Sequence, residues 1–74
     1  MQEIRFPLTT DYIDLLQLLK ATSLVMSGGE AKLLVDDGIV YVNGKKEYRR
    51  RRKLRLDDVI LIDDQIKITL IKSE

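Results

Sequence analysis

A chain of seventy-four residues has room for one domain around one hydrophobic core. It contains no cysteine, histidine or tryptophan. This rules out a disulfide framework, a Cys/His zinc site, a thiol nucleophile and the side chain most used for acid–base work near neutral pH, and leaves a binding module as the expected class. The net charge of +1, from thirteen basic and twelve acidic residues, is too small to indicate a partner by itself.

Ile4, Phe6 and Leu8 alternate with polar neighbours, which predicts a strand over residues 2–8. Pro7 lacks an N–H, so this strand lies at a sheet edge or ends there. Thr9, Thr10 and Asp11 supply helix-start chemistry. Tyr12, Leu15, Leu16 and Leu19 then recur at helical spacing, with Ile13 widening the stripe. This first helix is expected to end near Thr22 or Ser23.

Ser27-Gly28-Gly29-Glu30 has the capping-box pattern, in which serine and glutamate satisfy each other's backbone N–H groups. The second helix runs on through Ala31, Leu34 and Val35 to Gly38. Asp36 and Asp37 stand at the end of it that the helix dipole disfavours, and nothing in the sequence explains them.

Ile39 to Val42 is a β-branched and aromatic run, and Asn43-Gly44 after it is a strong hairpin signal, because both residues tolerate positive φ. The return strand is expected from Lys45 to about Arg49. Residues 50–55 read as an extended loop anchored by Leu54 and Leu56. Val59 to Ile62 is another strand, Asp63-Asp64-Gln65 turns the chain, and Ile66, Ile68 and Leu70 alternate in a last strand over 66–71. Tyr12 and Tyr41 are expected in the core or sheet. The sum is one α+β domain over 1–74, with two helices and several antiparallel strands.

The charge is segregated. Lys45 to Arg55 holds eight basic residues against Glu47 alone, a net +7 that leaves −6 for the rest of the chain. Charge runs are usually just solvated. Four consecutive arginines after an ordered hairpin, however, repel one another and suit a polyanion, because guanidinium forks match phosphate oxygens. The Ser27-Gly28-Gly29 helix start leaves backbone N–H groups open to a phosphate or serves as a plain cap, and Lys32 lies one turn into the same helix. Tyr48 either stacks on an unpaired base or packs across the hairpin. The acid pairs Asp36-Asp37, Asp57-Asp58 and Asp63-Asp64 have no calcium-loop spacing, and neither a nucleotide-binding glycine loop nor a nucleophile elbow is present. No metal, cofactor or catalytic residue is expected. The start lacks a secretory pattern and no apolar run approaches the roughly 20 residues of a membrane span, so a cytoplasmic protein is expected.

Leu19-Lys20, Ser27-Gly28-Gly29-Glu30-Ala31-Lys32, Gly38 to Gly44, Arg49-Arg50, Lys53-Leu54 and Asp58-Val59-Ile60 together resemble the RNA-binding domain first described in small-subunit ribosomal protein S-four, the alpha-L motif. The resemblance covers about residues 11–62. It is strongest to the small stand-alone YaaA/YbcJ-like bacterial members, in which S-G-G-E-A-K, V-N-G and R-R-x-x-K-L recur.

The resemblance implies two helices packed on a small, bent antiparallel sheet, and no catalytic activity. RNA would lie against the start of the second helix and the adjoining hairpin and loop. The contact residues would be Ser27, Gly28, Gly29, Lys32, Lys45, Lys46, Arg49, Arg50, Arg51, Arg52 and Lys53. Three positions depart from the pattern. Gly28 replaces an arginine common in the wider family, Arg51 stands where the stand-alone members often have glycine, and Asp57-Asp58 replaces the usual Gly-Asp.

The expected function is therefore non-catalytic binding of structured RNA through phosphate contacts, with ribosomal RNA, the ribosome or an assembly intermediate as the expected partner. The alternative is an adaptor that docks acidic protein partners on the basic face.

Overall fold

A computed structural model describes residues 1–73. In chain order the elements are β1 (Gln2–Leu8), β2 (Ile13–Asp14), α1 (Leu15–Ala21), α2 (Gly28–Asp36), β3 (Val40–Val42), β4 (Lys45–Lys46), β5 (Lys53–Leu54), β6 (Val59–Ile62) and β7 (Ile66–Lys72). Five strands form one sheet in the order β1-β7-β6-β3-β4, and β2 and β5 pair separately. The α+β class and the two helices are as expected.

Alternation along the strands sorts side chains to two faces. Val40, Val42, Ile60, Ile62, Ile68 and Leu70 are buried in one cluster with Leu15, Leu16, Leu18 and Leu19 of α1 and with Ala31 and Val35 of α2. Tyr41, Val59, Leu61 and Lys67 fall on the other face and are only half-buried.

The sheet is mixed rather than antiparallel throughout. β1 pairs with β7 in parallel, from Gln2 opposite Ile66 to Leu8 opposite Lys72, while the remaining ladders are antiparallel. Parallel pairing needs a long crossover, and everything between residues 8 and 66 supplies it.

The first helix starts three residues later than its hydrophobic stripe indicates. Asp14, in extended backbone, caps it by accepting from the Gln17 N–H at 2.9 Å. Tyr12 and Ile13 therefore precede the helix, and Ile13 pairs with Leu54 across β2–β5. Tyr12 is exposed rather than in the core. The second helix has its expected bounds. The Ser27 hydroxyl accepts from the Glu30 N–H at 3.3 Å, the Glu30 carboxylate accepts from the Met26 N–H at 3.2 Å, and Gly38 follows the C-cap at φ +74°.

Asn43 and Gly44 have φ of 52° and 86°, the pair of positive angles a two-residue hairpin turn requires. Asp63 and Asp64, both at φ 51°, repeat the positive angles in the three-residue connection between β6 and β7, where the Gln65 N–H donates to the Ile62 carbonyl at 3.0 Å. The return strand is shorter than expected and stops at Lys46, because Glu47 turns inward after its N–H meets the Val40 carbonyl. Leu54 is fully buried, but Leu56 is exposed and anchors nothing. At the departure from Gly-Asp, Asp57 takes φ +70°, a conformation glycine adopts more easily. Asp58 steadies the turn by accepting from the Arg55 N–H at 2.8 Å and from the Asn43 side-chain amide at 3.0 Å.

Candidate nucleic-acid interface

The basic run leaves β4 at Glu47 and rejoins the fold at β5, so both ends of the loop are fixed. At the far end, Leu54 is buried in the core and the Leu15 N–H donates to the Arg52 carbonyl at 3.0 Å. The near end is held by Glu47, the one acid within the run, whose residue is 5% exposed. One carboxylate oxygen accepts from the Arg49 backbone N–H at 3.1 Å and from Arg49 Nε at 3.0 Å. The other accepts from Arg49 Nη2 at 3.1 Å and from Arg52 Nη1 at 2.6 Å. The charge-assisted bonds from Arg49 are the main reason the Glu47 carboxyl is lowered to about 2, against the burial that would raise it.

The other two arginines also have acid partners. Arg50 forks onto Asp36, with Nε to Oδ1 at 3.2 Å and Nη2 to Oδ2 at 2.6 Å. This bidentate pair is the first cause holding the Asp36 carboxyl below its ordinary range. Asp36 thus has a role at a helix end the dipole disfavours: it ties the loop to the end of α2. Arg51 Nη1 approaches Asp14 Oδ2 at 3.8 Å, a looser pair, and its side chain remains 81% exposed. The expected free +7 patch is therefore corrected. Each of the four guanidinium groups stands within ion-pair distance of a carboxylate, and the arginines form a braced loop.

What stays presented is narrower. A depression of about 460 Å³ is lined by Arg49, Arg51, Arg52 and Lys53, all cations. Among the described residues, Lys32, Lys45, Lys46, Lys53 and Arg55 have no carboxylate within 4.0 Å. Lys45 and Lys46 do not form one patch, because their register opposite Val42 and Tyr41 sends them to opposite faces of the hairpin.

The Ser27–Gly29 helix start is likewise apart from the arginines. Arg50 meets the last turn of α2 and Ser27 caps its first, roughly 13 Å away at about 1.5 Å per residue. Lys32 lies between, one turn before Asp36 on the same side, where its charge also lowers the Asp36 carboxyl. A Cβ on Gly28 would meet nothing within 4 Å, so the helix start is open.

Sequence reasoning missed Asp14, Asp36 and Glu47. A signal existed for two of them: Asp36 is an acid at the wrong helix end, and Glu47 is a single acid inside a basic run. Tyr48 is exposed and lies over Gly38, where a Cβ would sit 2.9 Å from its hydroxyl. Among the described residues no three His, Cys, Asp or Glu side chains converge as a metal site, and no helix is long and apolar enough to cross a membrane.

These features can be set beside known proteins. Residues 6–70 match the S4 domain family. The chain is 41% identical over 54 residues to the probable ribosome maturation protein RlbA of Bacillus subtilis, which covers 73% of this chain and 76% of that protein. Its fold is similar to the 30S ribosomal protein S4e from Thermoplasma acidophilum, with a TM-score of 0.63 and 25% identity over 74% of this chain. The chain corresponds to 29% of that larger protein. The first is named for ribosome maturation and the second is a protein of the small ribosomal subunit. On its sequence match and its fold alike, the chain belongs to the S4 domain family.

Proposed function

We propose that the protein binds structured RNA, with ribosomal RNA or an assembling ribosomal particle as its partner, and does so without catalysis. The observation that carries this reading is the depression lined by Arg49, Arg51, Arg52 and Lys53 on a loop fixed at both ends. A fixed cluster of guanidinium groups loses little side-chain freedom when it meets phosphate, and it matches an anion spacing that a floppy basic tail does not. Phosphate contacts set position and affinity, and the loop shows few groups suited to reading base edges, so RNA shape governs recognition. Lys32 and the open Ser27–Gly29 helix start extend the track along α2, and Lys45 extends it along the hairpin.

Phosphate must compete with Glu47 and Asp36 for the arginines. Glu47 is too well enclosed to be displaced, so Arg49 and Arg52 offer their outward N–H donors while staying paired. The exposed Asp36–Arg50 pair and the looser Asp14–Arg51 pair are the ones that can exchange.

The test is binding of a ribosomal RNA fragment across a salt series. About five phosphate contacts give a log–log slope of roughly −3.5 to −4.5. Affinity that is flat from low to moderate salt would overturn the reading. In a pull-down from cell extract, partners should be lost on nuclease treatment, and a partner that survives it favours the acidic-protein adaptor instead.

A further inference from the structure

The sequence places Tyr12 on the first helix, pointing inward. In the structure it precedes the helix, is 43% exposed, and stands beside β5 because Ile13 and Asp14 pair with Leu54 and Lys53. Lys53 Nζ lies 4.8 Å from the centre of its ring and the Arg55 guanidinium carbon 5.7 Å. The backbone that carries the ring is fixed, since the Thr10 hydroxyl donates to the Tyr12 carbonyl at 2.7 Å.

Two contrasts with the arginine run mark this corner. Among the described residues, neither Lys53 nor Arg55 has a carboxylate within 4.0 Å, so an aromatic face and not an acid holds each of them. And Tyr12 forms one wall of a separate depression, of about 410 Å³, whose other walls are Thr10, Asp11 and Gln17. A carboxylate beside a hydroxyl and an amide repels phosphate, but it accepts hydrogen bonds from the N–H groups on the edge of a nucleobase. An aromatic wall, neutral and acidic hydrogen-bonding groups in the hollow, and two cations against the aromatic ring fit one nucleotide. The base enters the hollow and the flanking phosphates meet the cations.

We propose that Tyr12, with Lys53 and Arg55, forms a subsite for one unpaired nucleotide of the bound RNA. This rests on the RNA reading above and adds a second kind of contact to it. Lys53 lines the arginine depression and also stands over the Tyr12 ring, so a strand leaving the arginine loop passes directly to Tyr12. An exposed cation–π contact is weaker than base stacking on an aromatic ring, so an arriving base displaces the cations from the ring, and they turn to its phosphates.

The test compares three RNAs: a blunt stem–loop, the same stem–loop with three unpaired adenosines at its 3′ end, and the same extension made abasic. The wild-type protein should bind the adenosine form about five- to tenfold more tightly than the blunt form. The abasic extension keeps the phosphates and should give little of that gain. Tyr12→Leu should lose the gain while keeping its affinity for the blunt stem–loop, and Tyr12→Phe should retain it. Thermal melting of each variant checks folding, and the abasic comparison on the wild type needs no variant. Equal binding of all three RNAs, or a gain that survives the abasic extension or Tyr12→Leu, overturns the subsite alone. Absence of salt-dependent binding to any of them overturns the RNA reading and the subsite with it.

Discussion

Glu47 Oε1 accepts from Arg52 Nη1 at 2.6 Å, so the most cationic segment of the chain is built over a buried carboxylate. The ordinary glutamate value is 4.5 and the folded one about 2. A carboxyl lowered on folding stabilises fully above its unfolded value and loses that contribution as pH falls through the folded one. The window here is pH 4.5 down to 2. Thermal melts of the wild type should drop across it, with Asp36, also lowered, contributing in the same direction. Glu47→Gln should cost about 2 kcal/mol at pH 7, less than an isolated buried pair because Arg49 is solvated, and should flatten the acid limb. Equal acid sensitivity in the variant would show that the pairing does not hold the loop.

Arg51 and Asp36 separate presented charge from braced charge. Arg51 has the most exposed side chain of the four arginines and only a loose acid partner. Arg51→Ala should leave the melting temperature within a degree or two, weaken RNA binding and reduce the salt slope by about one. Asp36→Asn acts in the opposite direction. It releases Arg50 and removes a negative charge, so affinity should rise, by about two- to fivefold at low salt. Fluorescence anisotropy over a salt series reads both, and a fall in affinity for Asp36→Asn would mean that the tether matters more than the freed charge.

Two glycines at the opposite ends of α2, Gly28 in its first turn and Gly38 just past its C-cap, make a controlled pair. Gly28→Ala adds a methyl to open space at the helix start, so stability should hold or rise slightly, while RNA affinity should fall if a phosphate seats there. Gly38→Ala must adopt φ +74° and push the Tyr48 hydroxyl from 2.9 Å, which should cost about 1–2 kcal/mol. Chemical denaturation and RNA titration of both variants should give opposite patterns, with binding lost without stability for Gly28 and stability lost for Gly38.

Leu54→Ala tests the inner end of the loop. The side chain is fully buried among core leucines, so its truncation should cost about 2–5 kcal/mol by denaturant unfolding. Leu56→Ala, two residues on and exposed, should cost under about 1 kcal/mol. Similar losses at the two sites would contradict the placement of the loop.

Much of this architecture was legible in the residues because local chemistry determined it. The Ser27–Glu30 cap, the Asn43-Gly44 turn and the alternating strands each depend on neighbours a few positions apart. What was not legible depends on contacts between distant segments. The helix stripe from Tyr12 predicted the wrong start, because Ile13 and Asp14 are claimed by a ladder to Leu54 and Lys53 some forty residues on. Charge counting located the basic segment correctly but could not show that Asp14 and Asp36, from two other elements, fold back onto it. The parallel pairing of β1 was equally hidden, since a strand's own residues do not record the direction of its partner.

That parallel pairing also has a consequence in time. β1 is made well before its partners, residues 66–72, which follow some sixty residues later. During synthesis the two helices and the Asn43-Gly44 hairpin can collapse early through short-range contacts, while the Ile4 and Phe6 side chains wait for Ile68 and Leu70. Closing so long a loop is the slow step, and until it closes the apolar edge of β7's future neighbours stays uncovered. The braces of the basic loop, to Asp14, Asp36 and Glu47, all lie within the crossover and do not depend on that last pairing.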